Sequence, residues 1–236
     1  MKTKLFILLA ALSFSAVSLI AQEAKTMYVM KDGAVIFQSA VLGVDSIIFY
    51  EPIREDGVLI NGVVWAKYNV DAPGTFAAKP EDAGMFYQWN RNIGWSAIDP
   101  MINSNSGTTW DDSTPTGDTW EKANDPSPAG WRVPTTEEQQ TLLDTDKVTC
   151  TWVNSNGVYG RLFTDNTTGV SIFLSAAGCR DYVGGTLNNV GSYGAYWSSA
   201  QPGGDYAYNM YFNSIGAYWY DGNRSFGFFV RCVADK

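Results

Sequence analysis

The sequence predicts an α+β fold in which two helices precede many short antiparallel strands, with a small β-hairpin module in front. Three observations carry that prediction. Helix-start signals stand at Pro80 and Thr135, short apolar runs broken by turn residues fill the chain from Thr149 onward, and Asp32-Gly33 and Asn61-Gly62 each sit between β-rich runs.

Residues 1–21 read as an export signal. Lys2 and Lys4 give a positive start, Leu5 to Ile20 is apolar, and Ala21-Gln22 is the expected cut, although Leu19 is bulkier than usual at its position. The apolar run is shorter than the ~20 residues a membrane-spanning helix needs, so the expectation is an exported protein with no membrane span: periplasmic, secreted or at the cell surface. The first cysteine is Cys150, far from the cut, so the chain is not expected to be a lipoprotein.

Residues 22–56 read as a short β module and linker. Met27–Lys31 and Ala34–Phe37 flank Asp32-Gly33, and Asp45–Tyr50 is a further β-rich run. So few residues cannot hold a core, so the module is expected to dock on the main domain, to dock on a surface-assembly partner or to remain loosely ordered.

The main domain, residues 57–236, opens with a hairpin around Asn61-Gly62. Pro80 to Asn90 is the first expected helix: Pro at its start, Glu81 and Asp82 in the first turn, and Met85, Phe86 and Trp89 at helical spacing for the core. Ile93 to Pro128 is loop-like, and a loop that long is expected to be functional or packed by its own Trp95, Trp110 and Trp120. Thr135 to Glu138 is a capping box that starts the second helix, with Leu142 and Leu143 as core anchors. Strands are expected at 157–163, 169–174, 193–198, 207–212, 217–220 and 226–233.

The chain contains no histidine, which removes Ser-His-Asp and Cys-His catalysis and the common zinc sites. Its formal charge of −8 becomes more negative once Lys2 and Lys4 are cleaved away, so nucleic acid is not an expected partner. No cofactor and no metal site is expected. Three cysteines in an exported chain allow a single disulfide: Cys232 with Cys179, or Cys232 with Cys150. Three reduced, buried thiols fit the sequence equally well.

The tail from Gly191 to Ser225 holds seven of the thirteen tyrosines and no lysine, glutamate, leucine or valine. Tyr with Ser, Asn and Gly is the alphabet of recognition surfaces, because Tyr offers a large, stiff, amphipathic contact at low entropy cost. Strand alternation places Tyr208, Met210 and Phe212 on one side of their strand, for the core, and Asn209, Tyr211 and Asn213 on the other, for solvent. With Tyr206, Tyr218, Tyr220, Asp221, Asn223 and Ser225 these outward residues form the expected ligand-binding face, for an extracellular protein or glycan and without catalysis. The plain alternative is a Tyr-rich sheet whose rings only cover its outer face.

Gly130-Trp131-Arg132-Val133-Pro134-Thr135 with Glu137-Glu138 resembles an element of C-type-lectin-like domains of the formylglycine-generating type. Asn61–Ala66, Ala83–Asn90, Ser171–Gly178, Tyr196–Ser199 and Phe228–Val233 are together similar to the Fibrobacter succinogenes major paralogous domain, in the right order across nearly all of 57–236. The leading segment, Met27–Gly33 and Val44–Phe49, is similar to an N-terminal module of secreted proteins from Bacteroides-type bacteria. The resemblance implies a C-type-lectin-like domain on a surface-acting, adhesin-like protein. Some relatives diversify their C-terminal region with a mutagenic retroelement that enriches Asn, Tyr, Ser and Asp, the composition of this tail. The calcium signatures of sugar-binding lectins are absent, and Cys179 and Cys232 do not lie in the reactive pair of the formylglycine-generating enzymes. A surface-filament component and, further off, a formylglycine-type oxidase are the competing expectations.

Overall fold

The computed structural model describes residues 26–31, 34–41 and 55–235. The expected export signal, the expected turn at Asp32-Gly33 and the run Asp45–Tyr50 lie outside the described residues. The chain divides into two compact units, Met1–Pro52 and Ile53–Lys236, where the sequence reading drew the line at 56/57.

In the first unit β1 (Thr26–Lys31) pairs antiparallel with β2 (Ala34–Ala40), setting Val29 opposite Phe37. Val35, Ile36 and Phe37 are more than half exposed. The second unit begins with β3 (Gly57–Ile60) and β4 (Val63–Ala66), joined through Asn61 at φ 44° and Gly62 at φ 80°. Both values are left-handed, as a two-residue hairpin turn of the type favoured by the strand twist requires.

There follow β5 (Phe86–Tyr87), β6 (Gly94–Trp95), β7 (Trp131–Arg132) and the helix α1 (Thr136–Leu142). The rest is β8 (Val148–Ser155), β9 (Val158–Asp165), β10 (Ser171–Ser175), β11 (Cys179–Arg180), β12 (Leu187–Asn188), β13 (Tyr193–Trp197), β14 (Tyr206–Asn213), β15 (Ala217–Asn223) and β16 (Val233–Ala234). They form small sheets in the orders β3-β4-β16-β7, β10-β9-β8 and β13-β14-β15, with two-stranded pairs β5-β6 and β11-β12.

The two-helix α+β, C-type-lectin-like expectation is therefore overturned: among the described residues one seven-residue α-helix stands beside sixteen strands in small antiparallel sheets. The helix at Thr136–Leu142 carries its capping box, with Glu138 N donating to Thr135 Oγ1 at 3.3 Å and Thr135 N to Glu138 Oε2 at 2.9 Å. Arg132 grips the same carboxylate with both terminal nitrogens, at 2.8 and 2.6 Å. The expected helix over Pro80–Asn90 does not form. Its amides reach across the unit instead: Met85 N to Val70 O at 3.1 Å, Tyr87 N to Phe228 O at 2.7 Å and Trp89 N to Arg224 O at 3.0 Å. Gly84 is left-handed, and a Cβ there would stand 2.2 Å from Val70 O. Phe86, Tyr87, Gln88 and Trp89 are all buried, which an amphipathic surface helix cannot arrange. Tertiary pairing has overridden local propensity.

Two apolar clusters fill the unit. One gathers Ile60, Phe86, Phe163, Leu174, Tyr196, Met210, Phe212 and Phe229, the other Trp89, Trp131, Trp197, Ala207, Phe228, Val230 and Cys232. The long loop is packed by its own aromatics: Trp95, Trp110 and Trp120 are buried, the first two with rings 4.8 Å apart. Arg231, in the Phe228–Val233 motif, is a polar staple between these clusters. It donates to Asn69 Oδ1 and to the carbonyls of Ala66, Lys67 and Phe173 at 2.6–3.1 Å. Burial lowers its pKa to about 10, so it stays charged at neutral pH, satisfied by oxygens alone.

Candidate functional site

The Tyr-rich tail forms the sheet β13-β14-β15, with β14 in the middle and β15 at the edge. Facing residues of an antiparallel pair point the same way, so the register sorts the side chains into two faces. On one lie the rungs Trp197–Asn209–Tyr220 and Ala195–Tyr211–Tyr218, with Tyr193–Asn213 at the end. On the other lie Tyr196–Met210–Trp219, the pair Tyr208–Asp221 and the pair Tyr206–Asn223.

Burial follows position in the sheet more than alternation along a strand. Along Trp197–Asn209–Tyr220 the exposures are 0%, 2% and 64%, and along Tyr196–Met210–Trp219 they are 1%, 1% and 39%. Inner strands are covered on both sides by the two clusters, while β15 reaches past them. Tyr218, Trp219 and Tyr220 are consequently exposed in succession on both faces. Among the described residues no hydrogen bond from the hydroxyls of Tyr218 or Tyr220 falls within the chain.

The expected binding residues separate accordingly. Tyr211, Asn213, Tyr218 and Tyr220 share one face, where the half-buried Tyr193 adds a ring 5.1 Å from that of Tyr211. Asn213 Nδ2 donates to Tyr211 Oη at 3.2 Å and fixes that ring. Tyr206, Asp221 and Asn223 lie on the opposite face. Asn209 and Ser225 are corrections: both are buried, at 2% each. Asn209 is trapped beneath β15 with Nδ2 unpartnered, because the cluster around Trp197 and Ala207 covers that end of the middle strand. Ser225 has turned inward, its Oγ donating to Ser113 O at 3.1 Å. Met210 and Phe212 lie in the core as expected, while Tyr208 is half-buried, its ring 4.3 Å from that of Trp219 and tilted by 32°. Trp219 and Tyr208 were missed, since alternation alone consigns the side of Met210 to the core, and Tyr193 was missed although its pairing with Asn213 puts it on the outward side. The run Tyr218-Trp219-Tyr220, three large rings without an aliphatic partner, was the signal for an open edge.

The Cys179–Cys232 disulfide is also a correction, as is Cys150–Cys232: all three thiols are free. Cys179 and Cys232 pack as small apolar residues in the second cluster, and the Tyr193 hydroxyl donates to Cys179 Sγ. Burial raises the Cys150 and Cys179 thiols and pushes Cys232 up to about 12. Burial likewise raises Tyr193, with the neighbouring Cys179 adding to the shift. Among the described residues no group of three or more Cys, Asp or Glu stands together in the manner of a metal site.

A family model described as a domain of unknown function, DUF8237, matches residues 162–233, under a third of the chain. That stretch contains β10 to β15 and so the whole candidate surface. No curated protein and no solved structure matches the chain.

Proposed function

We propose that the chain is an exported, non-catalytic, adhesin-like recognition protein that docks an extracellular protein or glycan on the aromatic edge of the β13-β14-β15 sheet. The observation that carries this reading is the exposed succession Tyr218-Trp219-Tyr220 on a strand whose inner neighbours are fully packed. Such an edge presents stiff aromatic area on a rigid base, so little entropy is lost when a partner is bound. The Lys2/Lys4 start and apolar run of residues 1–21 support export, and the ordered motifs shared with the Fibrobacter succinogenes major paralogous domain support a surface role. The raised thiols support the absence of thiolate chemistry, because a catalytic cysteine needs a depressed pKa. The Tyr/Asn/Ser composition supports C-terminal diversification by a retroelement; a near-copy of this coding region beside a reverse transcriptase gene is its test.

The binding test is Y218S/Y220S against the parent on arrays of glycans and surface proteins. The reading predicts loss of at least ten-fold in affinity with unfolding unchanged; full retention would contradict it.

A second reading, an assembly component, is favoured by one observation: β1 and β2 form a two-stranded hairpin with Val35, Ile36 and Phe37 uncovered. Such a hairpin is marginal in water unless something packs on it. Light scattering of the full chain and of I36K would show concentration-dependent assembly that the charge abolishes.

A further inference from the structure

A second feature lies beside the aromatic edge. The loops 114–118 and 201–205 enclose a cleft of about 450 Å³ floored by Arg224, which is 5% exposed. Three of its five N–H donors are committed: Nε to Tyr206 O at 3.1 Å, and Nη1 to Pro115 O and Gly117 O at 3.2 and 3.1 Å. The guanidinium stacks 4.6 Å over the Trp89 ring, and no carboxylate stands within ion-pair distance of it among the described residues. The two donors on Nη2 have no acceptor among the described residues. Across the same cleft Gln201 Oε1 is buried and accepts nothing. A buried acceptor left unspent is costly unless a ligand satisfies it, and the uncommitted Nη2 donors line the same cleft.

Charge narrows the ligand. Asp118 and Asp205 also line the cleft, exposed, their carboxylates without a hydrogen bond among the described residues, while Asp205 O accepts from Arg224 N at 2.8 Å. A carboxylate, sulfate or phosphate attracted by Arg224 would meet two like charges, and a cationic ligand would meet the guanidinium. Hydroxyl groups suit all four side chains, because each O–H donates and accepts at once: it accepts from Arg224 Nη2 and donates to Gln201 Oε1, Asp118 or Asp205. Tyr206, next to the cleft and 49% exposed, and the tilted ring pair Tyr208–Trp219 continue from it along the sheet as a shelf for apolar sugar faces. The loop is held ready: Gln88 Nε2 donates to Asp111 O at 2.7 Å, and Asn90 Nδ2 to Thr116 O at 2.8 Å.

We propose that this cleft is a binding site for a neutral saccharide, separate from the Tyr211/Tyr218/Tyr220 face. It rests on the recognition reading only in taking the chain as a binder. The probe is an array of neutral, sialylated and sulfated oligosaccharides, read with the full chain and then by titration of the best neutral one. Neutral saccharides should bind, and Q201M and D118N/D205N should each weaken them ten-fold or more with the unfolding temperature unchanged. The Asp118 and Asp205 carboxylates are exposed and hold no hydrogen bond among the described residues, so D118N/D205N decides the matter even where Q201M fails to fold. The inference falls if no neutral saccharide binds, if charged glycans dominate, or if D118N/D205N binds as the parent does. The Y218S/Y220S variant separates the two readings: loss there with the cleft variants unaffected leaves the aromatic face standing and removes the cleft, and the reverse removes the face.

Discussion

β14 and β15 are neighbours with nearly one alphabet, yet they do opposite things. Tyr, Asn and an aromatic or Met alternate in both, and seven register pairs join them. In β14 Ala207, Asn209, Met210 and Phe212 are buried, whereas in β15 Tyr218 to Asp221 are all exposed. The difference lies in sheet order: β14 has β13 on its other side and a cluster on each face, whereas β15 has no strand on its outer side and meets the first cluster at Ala217, where it begins. A residue's role here is set by the strand it belongs to before the side of the strand it points from.

The largest way to break that contrast is in the middle strand. F212A should destabilise by about 3–5 kcal/mol, since Phe212 is fully buried against Phe163 and Tyr196. Denaturant unfolding reads it directly.

Next comes the segment that anchors the chain just after β15. Tyr87 N and Trp89 N hold Phe228 O and Arg224 O, and Gly84 sets up their approach. In a helix G84A would stabilise by about 1 kcal/mol. Here, with φ +68° and a backbone oxygen in the way, it should destabilise by about 1–3 kcal/mol. The sign alone decides between helix and extended segment.

Acid should strike the framework as well. Asp165 accepts from the amides of Asn61, Thr168 and Thr167, which hold its carboxyl down at about 2. A depressed folded-state pKa stabilises above the unfolded value of about 4 and loses that contribution as pH falls toward 2. Unfolding midpoints between pH 5 and 2 should fall more steeply for the parent than for D165N.

The hairpin at Asn61-Gly62, the capping box at Thr135 and most strands after Thr149 were legible, because each is written in a few adjacent residues. β8 was not, although Asn156 and Gly157, at φ 51° and 90°, form the same kind of turn as Asn61 and Gly62. The false helix at 80–90 had genuine local signals; what defeated it, pairing with Val70, Phe228 and Arg224, lies far away in sequence. Within the candidate site, Tyr211, Asn213, Tyr218 and Tyr220 came out of alternation correctly grouped. Asn209, Ser225 and Trp219 did not, since alternation says which side a residue takes and nothing about which strand is the edge. Gln201 and Arg224 were invisible as a pair, since only folding brings their unspent hydrogen-bonding groups to one cleft.

The smallest expected effect on stability is the most telling. Y218S/Y220S should change unfolding by no more than about 0.5 kcal/mol per site, as exposed substitutions do. The decisive measurement is therefore binding of that variant to an array component that the parent captures and that D118N/D205N binds equally well, so that the cleft is not its site, at a temperature where both are folded. The account predicts a loss of at least ten-fold, as the removal of central aromatic contacts gives. Undiminished binding by a folded Y218S/Y220S protein would contradict it, and the edge of this sheet would be no more than a tyrosine-coated surface.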